Sequence, residues 1–273
     1  MIPQLIFSIL LSILIFFMAF NLKVEEIGLA SNLNALMIVL GGTFAATLIA
    51  YPWKKITWTL RLLKRAFLAQ DEIEGTIKKI VDLARAYRQG GIRTLEQQGE
   101  ELSPGLLKTS IELMAFQCSR GKLEEIVQRE AQLTYVQMET GCKILHSMAR
   151  LAPALGLTGT IVVLIRVFGH ITDPKSLVEY MAIALLNTFY GVVLANLFFV
   201  PLSNKLREFL DHEETRMELI QEGILDLYDG ENSRAIQFKL EALSTAVREP
   251  NPIRRGPELL PTASKKRASS VAS

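Results

Sequence analysis

The chain is poor in the residues from which active sites and metal centres are built. It holds 3 histidines and 2 cysteines among 273 residues. His146, His170 and His212 lie far apart, and no HExxH, CxxC, phosphate loop or serine–histidine–aspartate set accompanies them. Cys118 and Cys142 stand in no metal-ligand spacing and read as ordinary thiols. These absences argue against an enzyme and against any resident cofactor or metal. Basic and acidic residues nearly balance, 30 against 28, which gives no reason to expect a nucleic-acid partner. Strand-rich regions and internal repeats are also missing. The most telling absence is local. Four apolar runs, residues 2–20, 29–51, 151–171 and 178–203, contain no aspartate or glutamate except Glu179 at the edge of the last. A membrane protein that moves ions by itself usually buries a carboxylate, because intramembrane ionisable groups are costly and are kept for ion pathways. If this chain serves ion movement, the acid must come from a partner helix.

The four runs place it among integral membrane proteins, since a helical span needs about 20 apolar residues. Arg166 interrupts the third run only near its far end, where an arginine can snorkel to the headgroups. The first run lacks the basic start and small-residue cleavage site of a signal peptide. Lys54, Lys55, Arg61, Lys64 and Arg65 follow run two, and Lys205 and Arg207 follow run four; the links near 23–26 and 170–175 are poorer in positive charge. The positive-inside rule then puts the 52–150 loop, both termini and the 204–273 tail in the cytoplasm. The expected class is all-α, with four transmembrane helices and a helical cytoplasmic domain. The segments are 1–51 (spans one and two), 52–150 (loop), 151–203 (spans three and four), 204–245 (C-terminal helices) and 246–273 (basic tail).

Within the loop, Ile73, Ile77, Ile80, Ala84 and Tyr87 draw one stripe along a helix, which Gly90-Gly91 ends. A short element from Ile92 to Leu102 follows. Ser103-Pro104 is expected to open the next helix, serine as N-cap and proline at N1. Lys122–Arg150 is amphipathic and leads directly into run three. Beyond run four, Leu206, Leu210, Met217, Ile220, Ile224 and Leu227 mark a helix continuing inward from the membrane. Asp229–Asn232 breaks it, and Ser233–Leu243 adds a last turn or two. Residues 248–273, rich in Pro, Ser and basic side chains, read as disordered. Their Arg254, Arg255, Lys265, Lys266 and Arg267 are candidates to touch anionic lipid.

Two rows of small residues stand out. Ala184, Thr188, Gly191 and Ala195 recur along run four, and Ala152, Gly156 and Thr160 along run three. Small residues let membrane helices approach closely, and a threonine among them can hydrogen-bond across the seam. One reading has these two faces simply pack together. The other has them face a partner's helix, with Thr160 and Thr188 offering oxygens to a hard cation beside that partner's carboxylate. Asn187 is either a second polar contact or a neighbour-helix hydrogen bond. Pro153 and Pro201, read as lying at one depth on adjacent helices, suggest a hinge. Arg88 and Glu96 flank the Gly-Gly turn, either as solvated charges or as contacts for a charged partner surface.

Together these stretches resemble a known family. Ala152–Thr160 (APALGLTGT) and Met181–Asn196 (MAIALLNTFYGVVLAN) are similar to the third and fourth membrane helices of the MotA/PomA flagellar stator subunits, within the wider group of TolQ and ExbB. Met217–Leu225, Asn232–Leu240 and Arg88–Glu96 look like further segments of that family. The resemblance implies a homopentamer around the membrane helices of a MotB/PomB-like partner whose aspartate binds the ion, in the bacterial inner membrane. It implies that Thr160 and Thr188 line the ion route, with Asn187 beside them, and that Pro153 and Pro201 are the conformational prolines. It also implies that Arg88 and Glu96 engage a FliG-like rotor protein. The transported ion stays open between H+ and Na+: Thr160 leans to Na+, while Asn187 replaces a threonine frequent in Na+-driven members. Two other readings remain: a TolQ/ExbB-like or gliding-type energiser of another envelope system, and a non-conducting membrane scaffold. The large loop after the second of four spans, rather than the first of three, favours the flagellar type.

Overall fold

A computed structural model describes residues 29–68, 73–169 and 174–248. The apolar run at 2–20, the link at 170–173 and the tail from 249 onward lie outside the described residues, and so do the expectations that fall on them. All the described elements are helices: α1 (Leu29–Ala50), α2 (Trp53–Leu68), α3 (Ile73–Glu100), α4 (Leu106–Ala115), α5 (Arg120–Phe168), α6 (Pro174–Val193), a π-helical turn (Leu194–Phe199), α7 (Val200–Tyr228) and α8 (Ser233–Arg248). Three of the described stretches are long and apolar enough to cross a bilayer: Leu33–Ala50 and the apolar parts of Arg120–Phe168 and Tyr180–Tyr228.

Two long rods organise the molecule. Helix α5 has 49 residues, a length of about 74 Å at 1.5 Å per residue. The α6–π–α7 run is longer still and lies against it. Each rod is more than twice the hydrocarbon thickness, about 30 Å, so each must be half membrane span and half extramembrane helix. The sequence changes character accordingly. The far half of α5 exposes Leu157, Ile161, Val162 and Ile165, which only lipid or another apolar surface can cover.

Three cores stack along the rods. In the membrane half, Val39, Ala149, Ala152, Leu194, Ala195 and Phe199 pack together. Just beyond, α2 lays Leu62, Leu63 and Ala66 on Met138, Leu145, Leu206 and Leu210, its lysines and arginines turned to solvent as an amphipathic helix requires. Within this layer Glu213 is buried at 7% exposure, held by Arg216 at 2.6 Å and Arg65 at 3.5 Å. A carboxylate so far from water needs such partners. At the distal end, Ile77, Ile80, Leu95, Leu123, Ile224 and Leu240 form the largest core.

The expected stripe of α3 faces this distal core, with Ile73, Ile77, Ile80 and Ala84 buried. Gly91, at φ 66 and ψ −158, breaks the helix, a backbone state that glycine reaches without steric penalty. The chain then resumes helically to Glu100. Helix α4 begins later than Ser103-Pro104 suggests. Its first bond runs from Thr109 N–H to the carbonyl of Gly105, so Gly105 is the N-cap and no side chain caps it. The end of α7 follows the sequence closely. Gly230, at φ 76, sits past the last turn, and the amides of Gly230 and Glu231 bond back to Leu227 and Asp226, a Schellman arrangement. Asn232 Oδ1 then accepts from the Arg234 amide at 3.1 Å and caps α8. That helix runs to Arg248, further than the expected stop at Leu243. Ile236 and Leu240, at 1% and 0% exposure, anchor it to the distal core.

Candidate functional site: a hydroxyl pair in the membrane seam

The two rows of small residues pack against each other. A methyl added at Gly156 would fall 2.7 Å from the carbonyl oxygen of Asn187, and one at Gly191 would fall 2.7 Å from the carbonyl oxygen of Ala152. Nothing larger than hydrogen fits at either position, so the backbones of α5 and α6 touch directly. The two faces therefore do pack together, as the simpler reading has it.

The hydroxyls sit at the edge of this seam. Thr160 Oγ1 lies 2.6 Å from Thr188 Oγ1, 2.7 Å from the carbonyl of Ala184 and 3.2 Å from that of Gly156. Each hydroxyl has one proton. The shortest carbonyl contact assigns the Thr160 proton to Ala184 O, which leaves Thr188 to donate to Thr160 Oγ1. Thr160 then keeps one lone pair and Thr188 two. The pair is acceptor-rich and half-buried. Chemically, it can receive a hard cation or the O–H of a protonated carboxylic acid.

Asn187 is a different case. Its side chain is 0% exposed, and neither its amide nitrogen nor its oxygen finds a hydrogen-bond partner among the described residues. The group is pressed against Gly159, where an added methyl would meet Asn187 Cγ at 3.0 Å. An unmet buried amide costs roughly 1–3 kcal/mol. Asn187 thus lies beside the hydroxyl pair in sequence but points into the seam, without joining its hydrogen bonds.

The prolines require a correction. Gly191 packs at Pro153, and Gly141 at Leu206. With α5 and the α6–α7 rod antiparallel, this register sets Pro201 opposite about residue 146. That is some seven residues, or roughly 10 Å, from Pro153. The two prolines are therefore at different depths. Pro153 lies within α5, where its missing N–H leaves the Ala149 carbonyl without its helical donor. Pro201 follows the π-helical turn at Leu194–Phe199. A wide turn of this kind relieves the clash between a proline ring and the preceding turn, and such turns mark local bending points.

Arg88 and Glu96 stand on either side of the Gly91 break, both exposed, far along the chain from the hydroxyl pair. Neither makes an ion pair among the described residues.

Sequence reasoning passed over α1. Thr43 and Thr47 are both 0% exposed, each donating to the carbonyl four residues back at 2.7 Å. Tyr51 Oη is 3.2 Å from Ser147 Oγ, tying α1 to α5. The four-residue spacing of Val39, Thr43 and Thr47 was the available signal; it marks the face α1 turns to the rods.

Residues 98–219 match the MotA/TolQ/ExbB proton channel family. The chain is 31% identical to the chemotaxis protein PomA of Vibrio alginolyticus over 217 residues, 79% of this chain and 85% of that one. It is 30% identical to motility protein A of Borreliella burgdorferi over 224 residues, 80% and 85% of the two chains. The fold matches that of C. jejuni MotAB with a TM-score of 0.76 at 19% identity, covering 89% of this chain and 96% of that one. It also matches the flagellar MotAB stator complex of Bacillus subtilis, with a TM-score of 0.75 at 24% identity, covering 88% and 98%. These likenesses, resting on the same spans that carry the hydroxyl pair, establish that the chain is a multi-pass membrane protein belonging to the MotA/PomA branch of the MotA/TolQ/ExbB proton channel family.

Proposed function

We propose that the chain is the ring-forming stator subunit of an ion-driven flagellar motor, coupling H+ or Na+ flow to torque. The observation that carries this reading is the acceptor-rich Thr160–Thr188 pair at the edge of a carboxylate-free seam. Hydroxyls alone bind a cation weakly, and among the described residues no carboxylate joins the pair. A MotB/PomB-like helix bearing an aspartate supplies one, and five copies of this subunit surround that partner in the inner membrane. The similarity to stator complexes and to PomA supports this division of labour.

In this mechanism an ion moves down its gradient, worth about 2.3 kcal/mol per charge per 100 mV, and meets the partner's carboxylate beside Thr160 and Thr188. Ion-bound and ion-free carboxylate make different hydrogen bonds with the hydroxyl pair. Each therefore favours a different packing of the seam, and the ring steps around the partner helices. The long rods α5 and α7 carry that motion to the extramembrane cores as rigid levers. Pro153 and the π-turn before Pro201 are where the rods bend. Both termini and the 52–150 loop lie in the cytoplasm, where Arg88 and Glu96 meet a FliG-like rotor protein and set register by charge.

The test combines genetics and flux. Co-expression with its partner subunit in a stator-deleted strain should restore swimming, and speed measured against external Na+ at fixed membrane potential assigns the ion. Conduction by this chain reconstituted alone would overturn the proposal, because the negative group would then not be the partner's.

A further inference from the structure

Where α1, α5 and α7 reach a common level, a cavity of about 440 Å³ opens between them. Lys143, His146 and Arg150 enter it from one face of α5, and Arg207 from α7. Tyr51, Ser147 and Asn204 add hydrogen-bonding groups. The carboxylates are fewer. Glu139 lines the cavity and pairs with Lys143 at 2.8 Å, and Asp211 holds Arg207 at 3.2 Å. Arg150 and His146 make no ion pair among the described residues. Of the three permanent cations that line the cavity, Arg150 therefore has no ion-pair partner among the described residues, and it leaves an uncompensated positive charge there.

Its depth is fixed by what surrounds it. Tyr51 directly follows the apolar stretch Leu33–Ala50, Arg150 directly precedes the apolar half of α5, and Asn204 follows that of the α6–α7 rod. Trp53 packs edge-on against Phe44 with ring centroids 6.0 Å apart, at the aromatic belt that marks the headgroup layer. A positive, hydroxyl-lined cavity at this level does not suit a cation, and Thr160 is ten residues further along α5, roughly 15 Å away.

We propose that this cavity binds the phosphate of an anionic phospholipid headgroup. Arg150 and Arg207 are its charge partners; Asn204 is a hydrogen-bond donor, and the bonded Tyr51–Ser147 pair has one hydroxyl proton left to give. A lipid held there ties α5 to α7 at the level of Pro201. The inference does not depend on the motor reading, and its test involves no motility.

The full-length protein in maltoside micelles is titrated with three probes: dioctanoyl phosphatidylglycerol, dioctanoyl phosphatidylcholine and inorganic phosphate. Binding is followed by the fluorescence of Trp53 and Trp58. The glycerol lipid should bind at least about tenfold more tightly than the choline lipid. Arg150→Gln should weaken it about fivefold, and the Arg150→Gln/Arg207→Gln pair about 25-fold, the effect expected of cations facing an anionic headgroup. Arg150→Lys should bind nearly as wild type, and the exposed Arg129→Gln should change nothing. Should the double variant fail to fold, the exposed single variant Arg150→Gln decides. Equal binding of the two lipids, or unchanged binding in the Gln variants, overturns the proposal. Phosphate binding as tightly as phosphatidylglycerol overturns the lipid source and makes the cavity a free-phosphate site.

Discussion

Replacing Thr160 and Thr188 with valine separates the chemical role of the hydroxyl pair from its structural one. Valine keeps the volume and branching of threonine, so the close approach at Gly156 and Gly191 is untouched. Thr188→Val removes the 2.6 Å bond but leaves Thr160 donating to the carbonyl of Ala184 at 2.7 Å. Thr160→Val removes both contacts. That carbonyl, however, belongs to the residue four before Thr188, so the Thr188 hydroxyl can turn back to it. Interhelical hydrogen bonds in membranes average about 0.6 kcal/mol and reach about 1.7. Each single variant should therefore lose no more than about 2 kcal/mol. The double variant, with no stranded polar partner, should lose less than the sum. Its thermal midpoint should fall by a few degrees at most, with the assembled complex recovered at wild-type yield. In the proposed mechanism torque should vanish nonetheless, because the partner's carboxylate would face two methyl groups in place of three lone pairs. The assays are thermal unfolding followed by tryptophan fluorescence, and swimming speed of cells carrying the variant. Normal swimming by the double variant at normal protein level would refute the argument.

Other substitutions probe the remaining parts. Arg88→Glu or Glu96→Lys should impair swimming with less than about 0.5 kcal/mol change in stability, since both are exposed and make no ion pair among the described residues; opposite charge on the proposed rotor surface should restore part of it. Gly191→Val should cost more than about 3 kcal/mol, because its methyls overlap the Ala152 carbonyl in a seam with no room to yield, and the intact protein should be lost from membranes by immunoblot. Asn187→Leu should raise the thermal midpoint, as it replaces a buried amide unmet among the described residues with an apolar group of similar size; a fall would mean that the amide has a partner beyond those residues. Burial raises the Cys142 thiol above its ordinary value, so less of it is thiolate at pH 8. Maleimide labelling there should be several-fold slower in the folded protein than after denaturation.

The sequence is most legible where a single helix sees a single environment. The stripe of α3, the Gly91 break, the stop at Gly230 and the apolar spans all follow from local pattern, because periodicity and glycine conformation act within a few residues. It is less legible where the answer depends on register between distant segments. Pro153 and Pro201 look equivalent because each lies near one end of an apolar run, yet the antiparallel packing of α5 on the α6–α7 rod offsets them by roughly two turns. Asn187 looks like a partner of Thr188 because it adjoins it, yet one residue on a helix turns a side chain by about 100°. It lies against Gly159 instead.

What the amino-acid order showed unaided is where the three described apolar spans lie, and the lack of an acid within them. Both depend only on the free energy of placing each side chain in lipid or water. Folding in three dimensions decided which oxygens meet: that Thr160 and Thr188 touch, that Arg150 and Arg207 enter one cavity, and that Glu213 finds two arginines. These contacts join residues far apart in the chain, and only the packing register of two long rods fixes their distance.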